Sequence, residues 1–232
     1  MMPHVVQQVP PDFATRTGAL RVACVPAAQD NLVWLILPAT GDGAWVVDGP
    51  SSQEALDAIR AKGRRLTGIL TTHTHPDHIG VHRELERSGV LSGLAVVGYV
   101  DSPVPIPGLT VPVDEGDTVE IGGATVQVLR TEGHQNGHLS YLVDGVLFCG
   151  DTLFTGGCGY LFDGPPSAMF DSLMRLAELP GDTRVCCAHE YTQDNLRFAW
   201  LMEPDNEALA RRIRDVWARR GQGECVVPST IE

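Results

Sequence analysis

The chain has 232 residues and a formal net charge of −12, with 43% of its residues hydrophobic and 20% charged. That length fits one domain with a lobe appended, and the hydrophobic share is ordinary for a globular protein. The acidic excess argues against a nucleic-acid partner, because phosphate binding needs a basic surface.

Apolar or alternating runs at 20–25, 32–37 and 44–47 predict adjacent antiparallel strands, with Gly41-Asp42-Gly43 turning between the second and third. Ser51-Ser52-Gln53-Glu54 has capping-box spacing, so a helix is expected to start there. The apolar, β-branched run 66–72 reads as a buried strand. A helix from about 79 to 87 follows, with His82 expected to be solvated. Residues 94–109 combine a short strand with a connection containing Pro103, Pro105 and Pro107. Strands at 118–121 and 125–129 flank a Gly122-Gly123 turn, and 140–143 and 146–149 form a second hairpin about Asp144-Gly145. A helix at 168–178, a strand at 184–188 and helices at 192–202 and 206–220 complete the chain. The last helix carries Arg211, Arg212, Arg214, Arg219 and Arg220, expected to form a solvated face. This succession predicts an α/β protein in which two sheets pack face to face with helices outside, an αββα sandwich. The core is expected over 1–165, completed by the helix and strand of 166–190. A short C-terminal helical lobe would occupy 191–232.

Six cysteines are scattered rather than spaced as a disulfide framework, and the adjacent Cys186 and Cys187 point to opposite faces of a strand. Free thiols in a reducing compartment are the expectation. The opening Met1-Met2-Pro3-His4-Val5-Val6-Gln7-Gln8 lacks a cationic start and a long apolar run, and nothing reaches membrane-spanning length. The reading is a cytoplasmic protein with no membrane partner.

The chemistry concentrates in His73-Thr74-His75-Pro76-Asp77-His78. Four ligand-type side chains in six positions cannot share one helix face, but a loop at a strand end can aim them at two ions. His134, Asp151 and His189 each follow a short strand and a tight turn, the same grammar three times over. The sorting that fits coordination chemistry puts His73, His75 and His134 on one ion and Asp77, His78 and His189 on the other, with Asp151 bridging. Three protein ligands and a bridge leave each ion an open position, as a catalytic site requires. Two divalent ions are expected: zinc first, with iron or manganese also suited to imidazole and carboxylate. A shared hydroxide would be the nucleophile, and Asp77 would both bind its ion and orient that hydroxide.

With these residues in hand, the chain resembles the metallo-β-lactamase superfamily, and within it the glyoxalase II group, the hydroxyacylglutathione hydrolases. The narrower likeness rests on the stretch from Asp30 to Leu35, on Gly150-Asp151-Thr152-Leu153-Phe154 with Gly157-Cys158-Gly159, and on His189-Glu190-Tyr191-Thr192. The run from Asn195 to Ala199 and the Pro228-Ser229-Thr230 segment extend it. The resemblance implies a metallo-β-lactamase fold and hydrolysis of a small-molecule thioester such as S-D-lactoylglutathione, with Tyr191 touching substrate. Tyr160 stands where that family has a lysine for the glycine carboxylate of glutathione, and Phe162 stands for a tyrosine. Lys62 is the only lysine, and the sequence ends at Glu232, before the position of the family's basic tail. The expectation is preserved chemistry with a weakened glutathione clamp, Tyr160 becoming a substrate contact of another kind. A lactonase or other small-ester hydrolase of the superfamily is the alternative. An iron-dependent persulfide dioxygenase is less compatible with a complete second triplet.

Overall fold

A computed structural model of the protein describes residues 4–232. The opening methionines that enter the reading of a leader lie outside the described residues. The first sheet contains β1 (Phe13–Ala14), β2 (Leu20–Ala27), β3 (Asn31–Pro38), β4 (Gly43–Val47), β5 (Arg65–Leu70), β6 (Ala95–Tyr99) and β7 (Val111–Val113), hydrogen-bonded in that order. Strands β1 to β4 pair antiparallel and β4 to β7 parallel. Parallel neighbours need crossovers on the sheet's outer face. Helices α1 (Gln53–Ala61) and α2 (Gly80–Arg87) supply two of them.

The second sheet is built from β8 (Thr118–Ile121), β9 (Ala124–Arg130), β10 (Leu139–Val143) and β11 (Val146–Gly150). A small hairpin follows, β12 (Leu153–Phe154) with β13 (Gly157–Cys158), and then helix α3 (Pro166–Ala177). Strand β14 (Arg184–Cys187) returns parallel to β11, helices α4 (Thr192–Met202) and α5 (Glu207–Gly221) form the C-terminal lobe, and β15 (Ser229–Thr230) edges β14. The order in this sheet is β15-β14-β11-β10-β9-β8.

Strand periodicity explains the layering. On β2 and β3, Val22, Cys24, Trp34 and Ile36 point inward and join Val126, Val128, Tyr141, Phe148 and Val185 of the facing sheet in one central core. The intervening Ala23, Val25, Val33 and Leu35 point outward onto Ala55 and Ile59 of α1. A strand covered on both faces has no polar side, which is why β3 reads as an unbroken apolar run. The αββα sandwich is the observed architecture, and a separate small core of Leu196, Val216 and Val226 holds the terminal lobe.

The structure departs from the sequence reading at three places. His82 is fully buried under α2, its Nε2 2.9 Å from the Thr71 hydroxyl, and burial pushes its pKa down to about 3. Arg220 is buried too, donating to the carbonyls of Glu224 and Val5, so the arginines of α5 are not one solvated face. Ser52 precedes α1 without accepting a capping bond. Instead its N–H and hydroxyl donate to Glu84 of α2 at 2.7 and 2.9 Å, tying the start of α1 to the middle of α2.

Candidate metal centre

The run from His73 to His78 leaves the end of β5 as a loop, and the reason lies in its hydrogen bonds. Asp48, just past β4 with φ of 54°, accepts from the Thr72 N–H at 2.8 Å, the Thr72 hydroxyl at 2.6 Å and His78 Nδ1 at 3.0 Å. One buried carboxylate thus fixes both ends of the loop. Gln135 accepts from the N–H and hydroxyl of Thr74 at its middle. Across the sandwich, His134 leaves the end of β9, Asp151 the end of β11 and His189 the end of β14. Strand ends from two facing sheets therefore deliver all seven predicted ligands to one seam.

His73, His75 and His134 form one triplet and Asp77, His78 and His189 another, each with ligand-type atoms mutually within 4.8 Å. His75 Nδ1 lies 3.0 Å from His73 Nε2 and 2.9 Å from His134 Nε2. Tetrahedral ligands at about 2.0–2.1 Å from zinc stand roughly 3.3 Å apart, close to this spacing. In the second triplet Asp77 Oδ2 is 3.5 Å from His78 Nε2 and 3.4 Å from His189 Nε2. Asp151 sits between them: its Oδ2 is 3.5 Å from His134 Nε2 and 3.6 Å from His78 Nε2, and its Oδ1 3.4 Å from His189 Nε2.

The outward ring nitrogens settle the tautomers. His134 Nδ1 donates to the Tyr160 carbonyl at 2.7 Å and His78 Nδ1 to Asp48, while His73 Nδ1 meets the Thr72 hydroxyl at 3.0 Å. His189 Nδ1 faces Asp30 Oδ1 at 3.7 Å. In His73, His78 and His134 an Nδ1 so held turns the Nε2 lone pair inward, which is how proteins orient imidazole toward a metal; the 3.7 Å contact of His189 Nδ1 is an ion-pair approach and not a hydrogen bond. Two buried atoms at the centre, His78 Nε2 and Asp151 Oδ1, have no hydrogen-bond partner among the described residues. Buried polar atoms left without partners are costly, and divalent cations would satisfy both. The donor set fits such ions.

The electrostatics agree. Burial alone would lower the pKa of His78, but the Asp151 and Asp48 carboxylates raise it to about 10. Burial would lower His189 as well, yet Asp151, Asp30 and Asp77 lift it well above the usual range. Asp151 stays far below the carboxylate range despite its burial, held there by His78 and His189. Without a metal the carboxylates recruit protons onto imidazole, so this pocket demands positive charge. Burial raises the Cys158 thiol, which argues against a reactive role for it.

Residues the sequence reading passed over complete the cage. His138 is fully buried, stacks on His73 with ring centroids 4.7 Å apart, and accepts from the Asp151 N–H at 3.2 Å. Asn31 donates to Asp77 Oδ2 at 3.0 Å. Asp48 had the same signal as the ligands, an apolar strand followed by Asp and Gly, and His138 stands four residues after His134. Gly159 passes so close that a Cβ would lie 2.0 Å from the Asp151 carbonyl and 2.8 Å from His134 Nδ1. Tyr160 contributes its carbonyl to the cage, while its side chain is 73% exposed with its ring 4.9 Å from that of Phe162. Phe162 is 61% exposed and meets the rings of His75 and His134 edge-on at 5.0 and 5.3 Å. Tyr191 is half-buried, stacks parallel on His189 at 4.8 Å and donates its hydroxyl to Asp30 at 2.9 Å.

Residues 29–189 match the family description "Metallo-beta-lactamase superfamily". The chain belongs to that superfamily. Residues 190–232, which follow that segment directly, match "Hydroxyacylglutathione hydrolase C-terminus". The hydroxyacylglutathione hydrolase of a Synechococcus strain is 44% identical over 92% of this chain and 85% of its own length. That of Photobacterium profundum is 45% identical over 91% and 82%. These relatives place the chain in the glyoxalase II branch of the superfamily. Among solved structures, ETHE1 from Myxococcus xanthus superposes with a TM-score of 0.59 at 28% identity, covering 78% of this chain and 75% of its own. TTHA1623 in a di-iron-bound form gives 0.54 at 32% identity, covering 72% and 90%. The superfamily and the convergent His and Asp triplets together make this a divalent-metal site. No helix among the described residues is long and apolar enough to cross a membrane.

Proposed function

We propose that the protein hydrolyses thioesters of small hydroxy acids, S-D-lactoylglutathione or a related acyl-thiol, at the two-triplet centre. The observation that carries this reading is the placement of Asp151 within 3.6 Å of both triplets, in each of which one histidine, His134 or His78, has its outward nitrogen hydrogen-bonded. His73, His75 and His134 would hold one ion, Asp77, His78 and His189 the other, and Asp151 both. Divalent ions there, zinc being the best match to imidazole and carboxylate, supply Lewis acidity and acidify water at neutral pH.

The chain's own groups do the rest. Asp77, whose side chain is 42% exposed, faces the mouth and accepts an O–H from entering water, turning its lone pair toward the thioester carbonyl carbon. Asn31 and the two histidines beside Asp77 hold its pKa far below the carboxylate range against the opposing effect of burial, so it remains an acceptor. As the C–O bond forms and the C–S bond breaks, the water proton finishes on the departing thiol, which needs no dedicated acid. Phe162 and Tyr160 wall one side of the mouth, and Tyr191 lies beside the second triplet. The hydroxyacylglutathione hydrolase relatives support this reading over the other chemistries of the superfamily.

The exposed aromatic pair Tyr160 and Phe162 favours one second reading, hydrolysis of neutral lactones or small esters. Comparing kcat/KM on lactoylglutathione, simpler acyl thioesters and homoserine lactones separates the two. Thioester turnover at least tenfold above lactone turnover, with two ions per chain by metal analysis, is expected; the reverse ranking refutes the thioester assignment. We also infer a reducing compartment, the cytoplasm, which the free thiols of all six cysteines support.

A further inference from the structure

The segment 4–9 precedes the region matched by the family, which begins at residue 29, and it is built into the fold from end to end. Gln7 and Gln8 both donate their N–H groups to the Gly223 carbonyl at 3.0 Å, and Cys225 donates back to the Gln8 carbonyl at 2.8 Å. The Val5 carbonyl accepts from buried Arg220 at 3.0 Å, and Val6 packs on the central core. This strap ends on the metal-bearing turn. His4 Nδ1 lies 3.3 Å from the Glu190 carbonyl and Nε2 3.2 Å from Asp194, so its ring bridges the first turn of α4 immediately after His189. The same ring meets Tyr191 edge-on at 5.0 Å.

Tyr191 thereby touches three rings: His4 edge-on at 5.0 Å, His189 stacked in parallel at 4.8 Å, and Phe154 edge-on at 5.4 Å. Its hydroxyl is spent on Asp30, which in turn faces His189 Nδ1. Ring, hydroxyl and carboxylate all act on the one ligand of the second triplet that comes from the C-terminal strand.

We propose that the N-terminal strap is a positioning element for the second metal site, with His4 pressing Tyr191 against His189 and so fixing the direction of its Nε2. The proposal rests on the two-ion reading above. It assigns a specific role to His4: loss of the ring should loosen the ion held by Asp77, His78 and His189 and leave the ion held by His73, His75 and His134 alone.

The test is release of zinc from the fully loaded protein to a chromophoric chelator, followed as two phases, in wild type, His4→Ala and His4→Phe. In His4→Ala one phase is expected to quicken roughly tenfold, the low end of what loss of an outer-shell partner costs in metal affinity. The other phase and the Tm of the metal-free protein should stay within error. His4→Phe keeps the ring contact without the polar anchors, and is expected to restore most of the slow phase. Both phases unchanged in His4→Ala overturn the proposal, and so does equal acceleration of both, which marks general loosening. If His4→Ala does not fold, His4→Gln, which keeps a polar side chain able to reach Asp194 but has no ring, decides on the same criterion. A wild-type protein that never holds two ions overturns the two-ion reading and this proposal with it. Two ions with wild-type release in every variant overturns this proposal alone.

Discussion

Replacing Asp48 by Asn tests whether the cage works through the tautomer of His78. The side chains are nearly isosteric, and Asn tolerates the left-handed backbone at this position (φ 54°). The amide oxygen still accepts from the Thr72 N–H, but its NH₂ now faces the Thr72 hydroxyl and His78 Nδ1. His78 then relaxes by accepting at Nδ1, which moves its proton to Nε2, the atom aimed at the centre. Loss of an outer-shell partner costs about 10- to 100-fold in metal affinity. A counter-effect works the other way: Asp48 helps raise the pKa of His78 in the metal-free protein, and its removal weakens proton competition for Nε2. The expected net loss is therefore near the low end, about tenfold or 1.4 kcal/mol, for one ion of the two. Zinc competition against a chelator at pH 7.5 measures it. Two ions bound to Asp48→Asn with wild-type affinity would refute the tautomer argument, and with it the assignment of Asp48 as the anchor of the loop.

Three further outcomes follow from other parts of the fold. Gly159→Ala is expected to shed metal and activity together, since a Cβ 2.0 Å from the Asp151 carbonyl must displace either Asp151 or the loop; full metal content by elemental analysis would contradict this. His82 has a folded pKa of about 3, below its unfolded value, so its contribution is complete above the unfolded pKa of about 6.5 and declines as pH falls toward the folded one. The loss reaches about 2 kcal/mol at pH 5, and His82→Leu should flatten the denaturant-unfolding profile between pH 6.5 and 5, whereas an unchanged slope would show that His82 does not drive it. Asn206 caps α5 by accepting from the Leu209 N–H at 3.0 Å, so Asn206→Ala should cost about 1 kcal/mol, or a Tm decrease of roughly 2–4 °C, in calorimetry.

How much of this was legible in the sequence depended on whether a residue announced itself within its own segment. The seven predicted ligands did, because four crowd one six-residue run after a single strand and His134, Asp151 and His189 each follow a strand and a turn. The two sheets were readable for a related reason: inward and outward residues alternate along β2, and the pattern of hairpin turns left few pairings. What local pattern could not show was which distant group each polar residue would meet. His82 looks solvated on a short polar helix and is buried because α2 lies against β5 and β6, through Val81, Leu85, Ile69 and Val96. Arg220 looks like its neighbours, yet it alone turns toward the carbonyls of Val5 and Glu224. Ser52 has capping-box neighbours, but its partner Glu84 sits on another helix.

Each triplet draws two residues from the loop after β5, in the first sheet, and one from the opposite sheet, His134 or His189. An ion in either position consequently rivets the halves of the sandwich together, and it cannot escape or enter without strain on both. Occupancy should therefore be felt well away from chemistry, as slower amide exchange in the strands of both sheets and a denaturation midpoint that climbs with free ion concentration. In a cell where such ions are scarce, the same arrangement would make the folded population itself a gauge of their supply.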